Sequence, residues 1–326
     1  MNGRLRLAAL VLLFGALCAA GLAMFGAWRF TASGPLAADT TIILPRGSGT
    51  GQIATRLVQA GVLADRWTFL IGARLLEQAG TLRAGEYAIP AHISPHDMMR
   101  MMAEGRTVVR RLTVPEGWTV AEVLAHVRAA DGLDGDIGET PAEGTLLPET
   151  YHFSYGDRRQ DIVNRMKKSM DEALARLWAE RDPAVPLKTP RDALTLASII
   201  EKETGVAAER AHVGGVFANR LRRGMKLQSD PTVTYGITLG KAPLGRQLLR
   251  RDLAHESPYN TYVIEALPPG PIANPGLESL RAAVRPLATD DLYFVASGDG
   301  GHAFAKTLDE HLRNVARWLQ ISREAD

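Results

Sequence analysis

The sequence predicts an α+β fold standing behind an N-terminal transmembrane helix, and three observations carry that prediction. From Leu7 to Trp28 no residue is charged. From Thr41 to Pro90 the pattern reads strand, helix, helix, strand, a compact α+β module. Beyond Asp161, long amphipathic helices give way to loop-rich stretches and then to a strand, a Gly-rich hairpin, a second strand and a terminal helix.

With 326 residues, 46% hydrophobic and 23% charged, the chain has the size and composition of one large or two ordinary folded domains. A net charge of +2 gives no concentrated basic face for nucleic acid or another polyanion.

The uncharged run of residues 7–28 is long enough to cross a bilayer as a helix. Arg4 and Arg6 precede it and favour a cytoplasmic N-terminus, while Arg29 follows it and weakens the asymmetry. Ala20 and Ala23 would suit a cleaved signal peptide, but the apolar run continues through Met24, Phe25, Ala27 and Trp28, which favours an uncleaved anchor. Cys18 is the only cysteine and lies inside this run, so the exported part can form neither a disulfide nor a thiolate metal site. Leu17 argues against lipidation, which needs a small residue just before the cysteine.

After a linker over residues 31–39, Thr41–Leu44 reads as a strand, Gln52–Ala60 and Trp67–Gln78 as helices, the second ended by Gly80, and Gly85–Pro90 as a closing strand. Pro45, Gly47, Ile53, Leu57 and Leu63 recur 70 positions on as Pro115, Gly117, Val123, Val127 and Leu133, a partial internal repeat. Asp161–Arg181 is a long helix whose methionines read as core packing. Val206–Arg223 reads as a further helix, and 229–232, 257–262 and 267–270 as loops. The last elements are a strand over Leu292–Ala296, a hairpin at Gly298–Gly301, a strand ending in Phe304, and a helix from about Leu308 to Leu319.

The helix that carries chemistry starts at Pro190 or Asp192 and has no Gly or Pro from Ala193 to Glu203. Leu196, Ile199, Ile200 and Glu203 share one stripe, whereas Glu201 sits with Leu194, Ala197 and Ser198. Two positions apart on a helix is roughly 200°, so the two glutamates face different ways. A carboxyl buried against Ile and Leu is pushed towards the range of a general acid. The alternative is that both are solvated helix residues paired with Lys202 or Arg210.

Six ordered blocks resemble a known family. They are Glu201-Lys202-Glu203-Thr204; Val216 to Leu221; Leu227 to Gly236; Tyr259-Asn260-Thr261-Tyr262; Leu267 to Ile272 with Asn274-Pro275-Gly276; and Leu292 to Val295 before Gly301-His302-Ala303-Phe304. Together with the anchor they are similar to the signature of the YceG-like family, whose members are endolytic murein transglycosylases. The module over residues 40–108 resembles LysM domains, small binders of N-acetylglucosamine-containing glycans, and 109–135 would be a partial second unit. The alternative for that module is a structural subdomain that positions the catalytic part. The resemblance implies an anchor over residues 1–30 and a mixed α/β catalytic domain over 109–322 with a Glu-bearing helix. It also implies a bacterial inner-membrane protein with its catalytic domain on the periplasmic side, close to penicillin-binding proteins and the elongation or division machinery. The chain departs from the family's pattern at Glu149, where Asp is common, and at Leu147, where an aromatic is usual.

The resemblance places the catalytic carboxyl at Glu203 and implies one group used twice. It protonates the glycosidic oxygen between N-acetylmuramic acid and N-acetylglucosamine, then accepts the proton of the muramyl C6 hydroxyl as that oxygen closes onto C1. Ordinary glycosidases need two carboxyls about 5 to 9.5 Å apart, and Asp230, Glu149 and Glu256 are the candidates for a hydrolytic, lysozyme-like alternative. A non-catalytic peptidoglycan-binding scaffold is the other. Gln228, Thr232, Asn260 and Asn274 are expected to bind sugar hydroxyls or acetamido groups, and Tyr235 and Tyr262 to stack on sugar faces. Asp230, Glu149 and His302 complete the expected cleft, although Asp230 before Pro231 is also a turn former and His302 could fix a hairpin. No HExxH, cysteine cluster or Walker-type loop is present, so no metal or cofactor is expected.

Overall fold

The computed structural model describes residues 3–325. It divides into two compact units, one holding the chain up to Arg110 and again His152–Asp157, the other holding Arg111–Tyr151 and the chain from Arg158 onward. The fold is mixed α and β with an apolar N-terminal helix.

The first unit contains α1 (Gly3–Thr31), β1 (Thr40–Leu44), α2 (Thr50–Gln59), α3 (Arg66–Leu75), β2 (Gly85–Ile89) and α4 (Pro95–Glu104). The apolar part of α1, Leu5–Thr31, is 27 residues long and contains an 18-residue window of mean hydropathy 2.5, none of it buried. At about 1.5 Å per residue it reaches roughly 40 Å, enough to cross the ~30 Å hydrocarbon core of a bilayer. It is compatible with a single-pass anchor. β1 and β2 pair antiparallel from Thr40↔Ile89 to Leu44↔Gly85. Their inner faces join α2, α3 and α4 in a core that includes Leu44, Ile53, Leu57, Phe69, Tyr87 and Met98.

Two features of this unit differ from the sequence reading. α3 stops at Leu75 rather than Gln78, with Glu77 at φ 54°, because the chain reverses there before reaching Gly80. α4 was not anticipated: Ser94 caps it by accepting from Asp97 N at 3.0 Å, Pro95 opens it and Gly105 at φ 67° closes it. Its buried side is made of Met98, Met99 and Met102, unbranched side chains that fill the gap under the β1–β2 ribbon.

The rest of the chain runs through β3 (Val109–Thr113), α5 (Val120–Ala129), β4 (Leu133–Asp134), β5 (Thr150–Ser154), β6 (Asp157–Arg158), α6 (Arg159–Ala179), α7 (Pro190–Glu203), α8 (Arg210–Arg222), α9 (Asp230–Thr238), α10 (Leu277–Val284), β7 (Tyr293–Ala296), β8 (His302–Ala305) and α11 (Leu308–Ala325). In the second unit α7 is central. Thr189 and Asp192 cap it reciprocally, Asp192 N donating to Thr189 Oγ1 at 3.2 Å and Thr189 N to Asp192 Oδ2 at 3.0 Å. Every residue from Ala193 to Ile200 is buried, against a core that draws on α6, α8 and α10. The middle of α7 is thus covered on all sides, the stripe of Leu196, Ile199 and Ile200 that leads to Glu203 included.

Two glycines let α8 pack closely, Gly214 on α10 and Gly215 on the segment that follows α10. A Cβ at Gly214 would lie 2.5 Å from the Ala282 carbonyl oxygen, and one at Gly215 would lie 2.5 Å from that of Leu287. The helix expected over Val206–Arg223 is broken into a 3₁₀ turn, Ala207–Glu209, followed by α8. The Ser229–Thr232 segment, expected as a loop, opens α9, whose first turn tolerates Pro231 because its missing N–H has no helical partner to lose. β7 and β8 form the expected hairpin, paired from Tyr293↔Ala305 to Ala296↔His302.

Candidate active site

The last turn of α7 delivers two carboxyls to different surroundings. Glu201 accepts from Arg210 Nη2 at 3.1 Å and from the backbone N–H of Gly276 at 2.9 Å, and its side chain is only 4% exposed. It is a buried, paired structural carboxylate. Glu203 lines a cavity of about 480 Å³ together with Arg220, Leu227, Gln228, Asp230, Tyr262, Phe294, Val295, His311, Val315 and Trp318. The residue keeps some solvent access through that cavity, but protein crowds its carboxyl group. Among the described residues no cation lies within ion-pair distance of it.

Burial pushes the Glu203 carboxyl up to about 7. Ser229 and Arg220 pull it back down, and the neighbouring Asp230 charge adds to the rise. Ser229 itself is buried, with an Oγ that makes no close hydrogen bond, so its hydroxyl is free to turn towards Glu203. What separates the two glutamates is therefore pairing, not burial. Glu201 has Arg210 and an N–H, and Glu203 has neither.

Arg220 builds the wall beside Glu203. Its Nε donates to the Leu292 carbonyl at 2.6 Å, and its Nη1 donates to the carbonyls of Lys226 and Leu227 and to Gln228 Oε1 at 3.1, 2.9 and 3.2 Å. One guanidinium thus ties α8 to the residue just before β7 and to the loop before α9. That loop holds Gln228 at φ 53°, a left-handed conformation unusual for a side chain of this size, and it is typical of positions fixed by their surroundings. On the far side, Tyr262 Oη donates to Asp230 Oδ1 at 2.6 Å.

Of the residues singled out in the sequence, Glu203, Gln228, Asp230 and Tyr262 come together around this cavity. Tyr235 lines a neighbouring cavity of about 400 Å³ that also touches Asp230, with Lys202, Leu244 and Ile272 in its walls. The others lie elsewhere, and all but Glu149 have side-chain polar atoms engaged within the protein. Thr232 Oγ1 donates to Ser229 O at 2.6 Å and meets Thr261 Oγ1 at 2.9 Å. Asn260 Nδ2 donates to the carbonyls of Leu253 and His255, and its Oδ1 accepts from Tyr262 N. Asn274 Nδ2 donates to Trp118 O at 2.8 Å while its Oδ1 accepts from Leu146 N at 2.9 Å. His302 meets Glu209 Oε2 at 2.7 Å, and the same carboxylate accepts from His302 N at 2.9 Å. Burial opposes ionisation of Glu209, but these bonds hold it below its ordinary value. Glu149 is exposed, and its carbonyl accepts from Val114 N at 3.0 Å.

Sequence reasoning missed Arg220, Ser229, His311 and Trp318. Arg220 left a readable signal: it shares a helical stripe with the core residues Val213, Val216 and Phe217, a cation where the pattern demands an apolar side chain. His311 and Trp318 left none, because only the folding of α11 against β7 and β8 brings them to the cavity. His311 stacks on Tyr293, ring centroids 5.1 Å apart, and its Nδ1 is buried without a hydrogen-bond partner. Among the described residues no cluster of His, Cys, Asp or Glu could hold a metal ion.

Residues 42–317 match the model of the YceG-like family. The chain is 30% identical over 315 residues to a Bacillus subtilis protein named endolytic murein transglycosylase, covering 87% of this chain and 86% of that one. A protein of the same name from Streptococcus pneumoniae is 28% identical over 85% of this chain, which spans 58% of that longer relative. The crystal structure of a putative YceG-like protein from Listeria monocytogenes superposes with a TM-score of 0.54 at 30% identity, covering 85% of this chain and 99% of that one.

Proposed function

The chain belongs to the YceG-like family, and we propose that it is an endolytic lytic transglycosylase of peptidoglycan in which Glu203 is the sole acid and base. The observation that carries this reading is Glu203 itself, an unpaired carboxyl facing a 480 Å³ cavity and pushed up to about 7. At neutral pH such a group is divided between its two protonation states, as a residue that must first give and then take a proton requires.

In the first step protonated Glu203 donates to the glycosidic oxygen. The C1–O bond breaks with its electron pair going to that oxygen, and an oxocarbenium-like centre forms at the muramyl C1. In the second step the Glu203 carboxylate takes the proton of the C6 hydroxyl as O6 bonds to C1, closing a 1,6-anhydro ring and restoring the acid. No water is consumed. Asp230 places negative charge on the same side of the cavity, where it would favour the positive centre, and Tyr262 holds its orientation. Arg220 would keep the cavity wall rigid through both steps.

The shared cavity also favours a second reading, hydrolysis with Asp230 as the partner carboxylate. Digestion of purified sacculi separates the two, because transglycosylation yields anhydro-muramyl ends lighter by one water. Glu203→Gln is expected to lower product release by roughly 100-fold or more; an unchanged yield would remove the catalytic assignment and leave a binding scaffold. The same reading includes α1 as a single-pass anchor in the bacterial inner membrane with the second unit on its periplasmic side. It also includes the β1–β2 module as a LysM-like glycan contact, and proximity to penicillin-binding proteins and the elongation or division machinery.

A further inference from the structure

The first unit leaves one helix face uncovered. On α3, Trp67, Ile71 and Leu75 recur every fourth residue and are 60%, 56% and 77% exposed. At about 100° per residue this stripe lies roughly 180° from Phe69 and Ala73, the residues that α3 gives to the core. Arg66 and Arg74 are exposed beside it, and the Arg66 guanidinium lies 4.5 Å from the Trp67 ring centroid. A short helix with Trp and aliphatic residues on one face and arginines on its flanks has the composition of an element lying in a lipid headgroup region.

The position of α3 relative to α1 says which surface covers it. Asp65, the cap of α3, pairs with Arg29 at 2.7 Å, and Gly72 packs so closely on Phe30 that a Cβ there would lie 2.3 Å from the ring. These two points are about 10 Å apart along α3, yet they meet neighbouring residues only about 1.5 Å apart along α1. α3 therefore crosses the end of α1 instead of running beside it. If α1 crosses the bilayer, α3 lies along the membrane surface. The level is also fixed, because Trp28, 61% exposed, is the residue next to Arg29 and stands where a membrane helix leaves the acyl region.

We propose that α3 is an interfacial helix whose Trp67–Ile71–Leu75 stripe sits at the boundary between headgroups and acyl chains of the membrane that α1 spans, with Arg66 and Arg74 among anionic headgroups. This rests on the reading of α1 as an anchor and adds a second, non-spanning contact on the outer side of the same membrane. The consequence is orientational: a lone spanning helix lets the unit it carries swing freely, whereas two contacts hold that unit in a fixed attitude to the bilayer.

The test uses the full chain with Cys18→Ser in bilayer nanodiscs containing anionic phospholipid. A fluorophore is placed on Leu12→Cys in one preparation and on Leu75→Cys in another. Leu75 is an exposed residue, so its replacement leaves the core intact. Each label is challenged with nitroxide-bearing lipid and with aqueous iodide. Loss of emission to the lipid nitroxide and protection from iodide at both positions is the expected result. Lipid quenching at Leu12 with iodide quenching at Leu75 would overturn the proposal and leave the anchor standing. Iodide quenching at Leu12 would overturn the anchor, and the proposal with it. A Leu75 label shielded from both agents would overturn it in favour of a protein, including a second copy of this chain, on the stripe.

Discussion

At Glu203 the proposed acid and base role opposes stability. Its folded-state value of about 7 stands above the ordinary 4.5 because burial disfavours the charged form. The native chain therefore holds this proton more tightly than the unfolded chain. The stability it contributes is full below about pH 4.5 and is lost as the pH rises through about 7. Glu203→Gln keeps a neutral group at every pH. Denaturant unfolding at about pH 8 should find the variant more stable than the native chain by about 3 kcal/mol, with little difference at about pH 4. The proposed acid step requires the protonated form, so release of anhydro ends should fall as the pH rises beyond about 7. Glu201, two residues away, is paired instead. Arg210 and Gly276 N already compensate its charge.

Among the elements, α7 can present two differently treated glutamates because its first three turns are immobilised. Its capping box and the burial of Ala193–Ile200 fix the direction in which the last turn emerges. α8 and α10 press on it from outside, and their approach depends on the absence of a side chain at Gly214. Gly214→Ala would set a methyl 2.5 Å from the Ala282 carbonyl, which is backbone and cannot rotate away. The expected cost is about 1–3 kcal/mol of stability, seen as a lower Tm, together with a weaker reaction as α7 shifts. A thermal melt unchanged by this substitution would contradict the packing described for α8 on α10.

Across the whole second unit, the polar residues of the signature blocks mostly hold distant parts of the chain together. Asn274 joins Trp118 and Leu146, 156 and 128 positions away, through one side chain. Asn274→Ala would leave the buried Leu146 N–H without its acceptor. A loss of about 1–3 kcal/mol is expected, while KM per folded molecule stays the same; a raised KM with unchanged stability would make Asn274 a sugar contact instead. This dual use of Asn, Thr and His explains how far the site was legible. The apolar run of α1, the strands β1 and β2, the β7–β8 hairpin and the Glu-bearing helix could all be read from the sequence. Each follows from local hydrophobic period, turn residues and breakers, which act over a few neighbouring positions. Glu203 could be singled out as well, since a carboxyl at the end of a greasy helix is a local anomaly. The stripe of Leu196, Ile199, Ile200 and Glu203 could be drawn but not ranked above that of Glu201, because Ala193–Ile200 is buried all round and periodicity carries little information there. Which carboxyl receives a cation, which Asn turns inward and which side chains of α11 complete the cavity are decided by contacts between residues far apart in the chain. The sequence by itself determined where an acid could be carried. Tertiary packing decided that Glu201 would be neutralised by Arg210 while Glu203 was left unpaired beside Arg220, Asp230 and Tyr262, because charge compensation depends on distance in space and not along the chain.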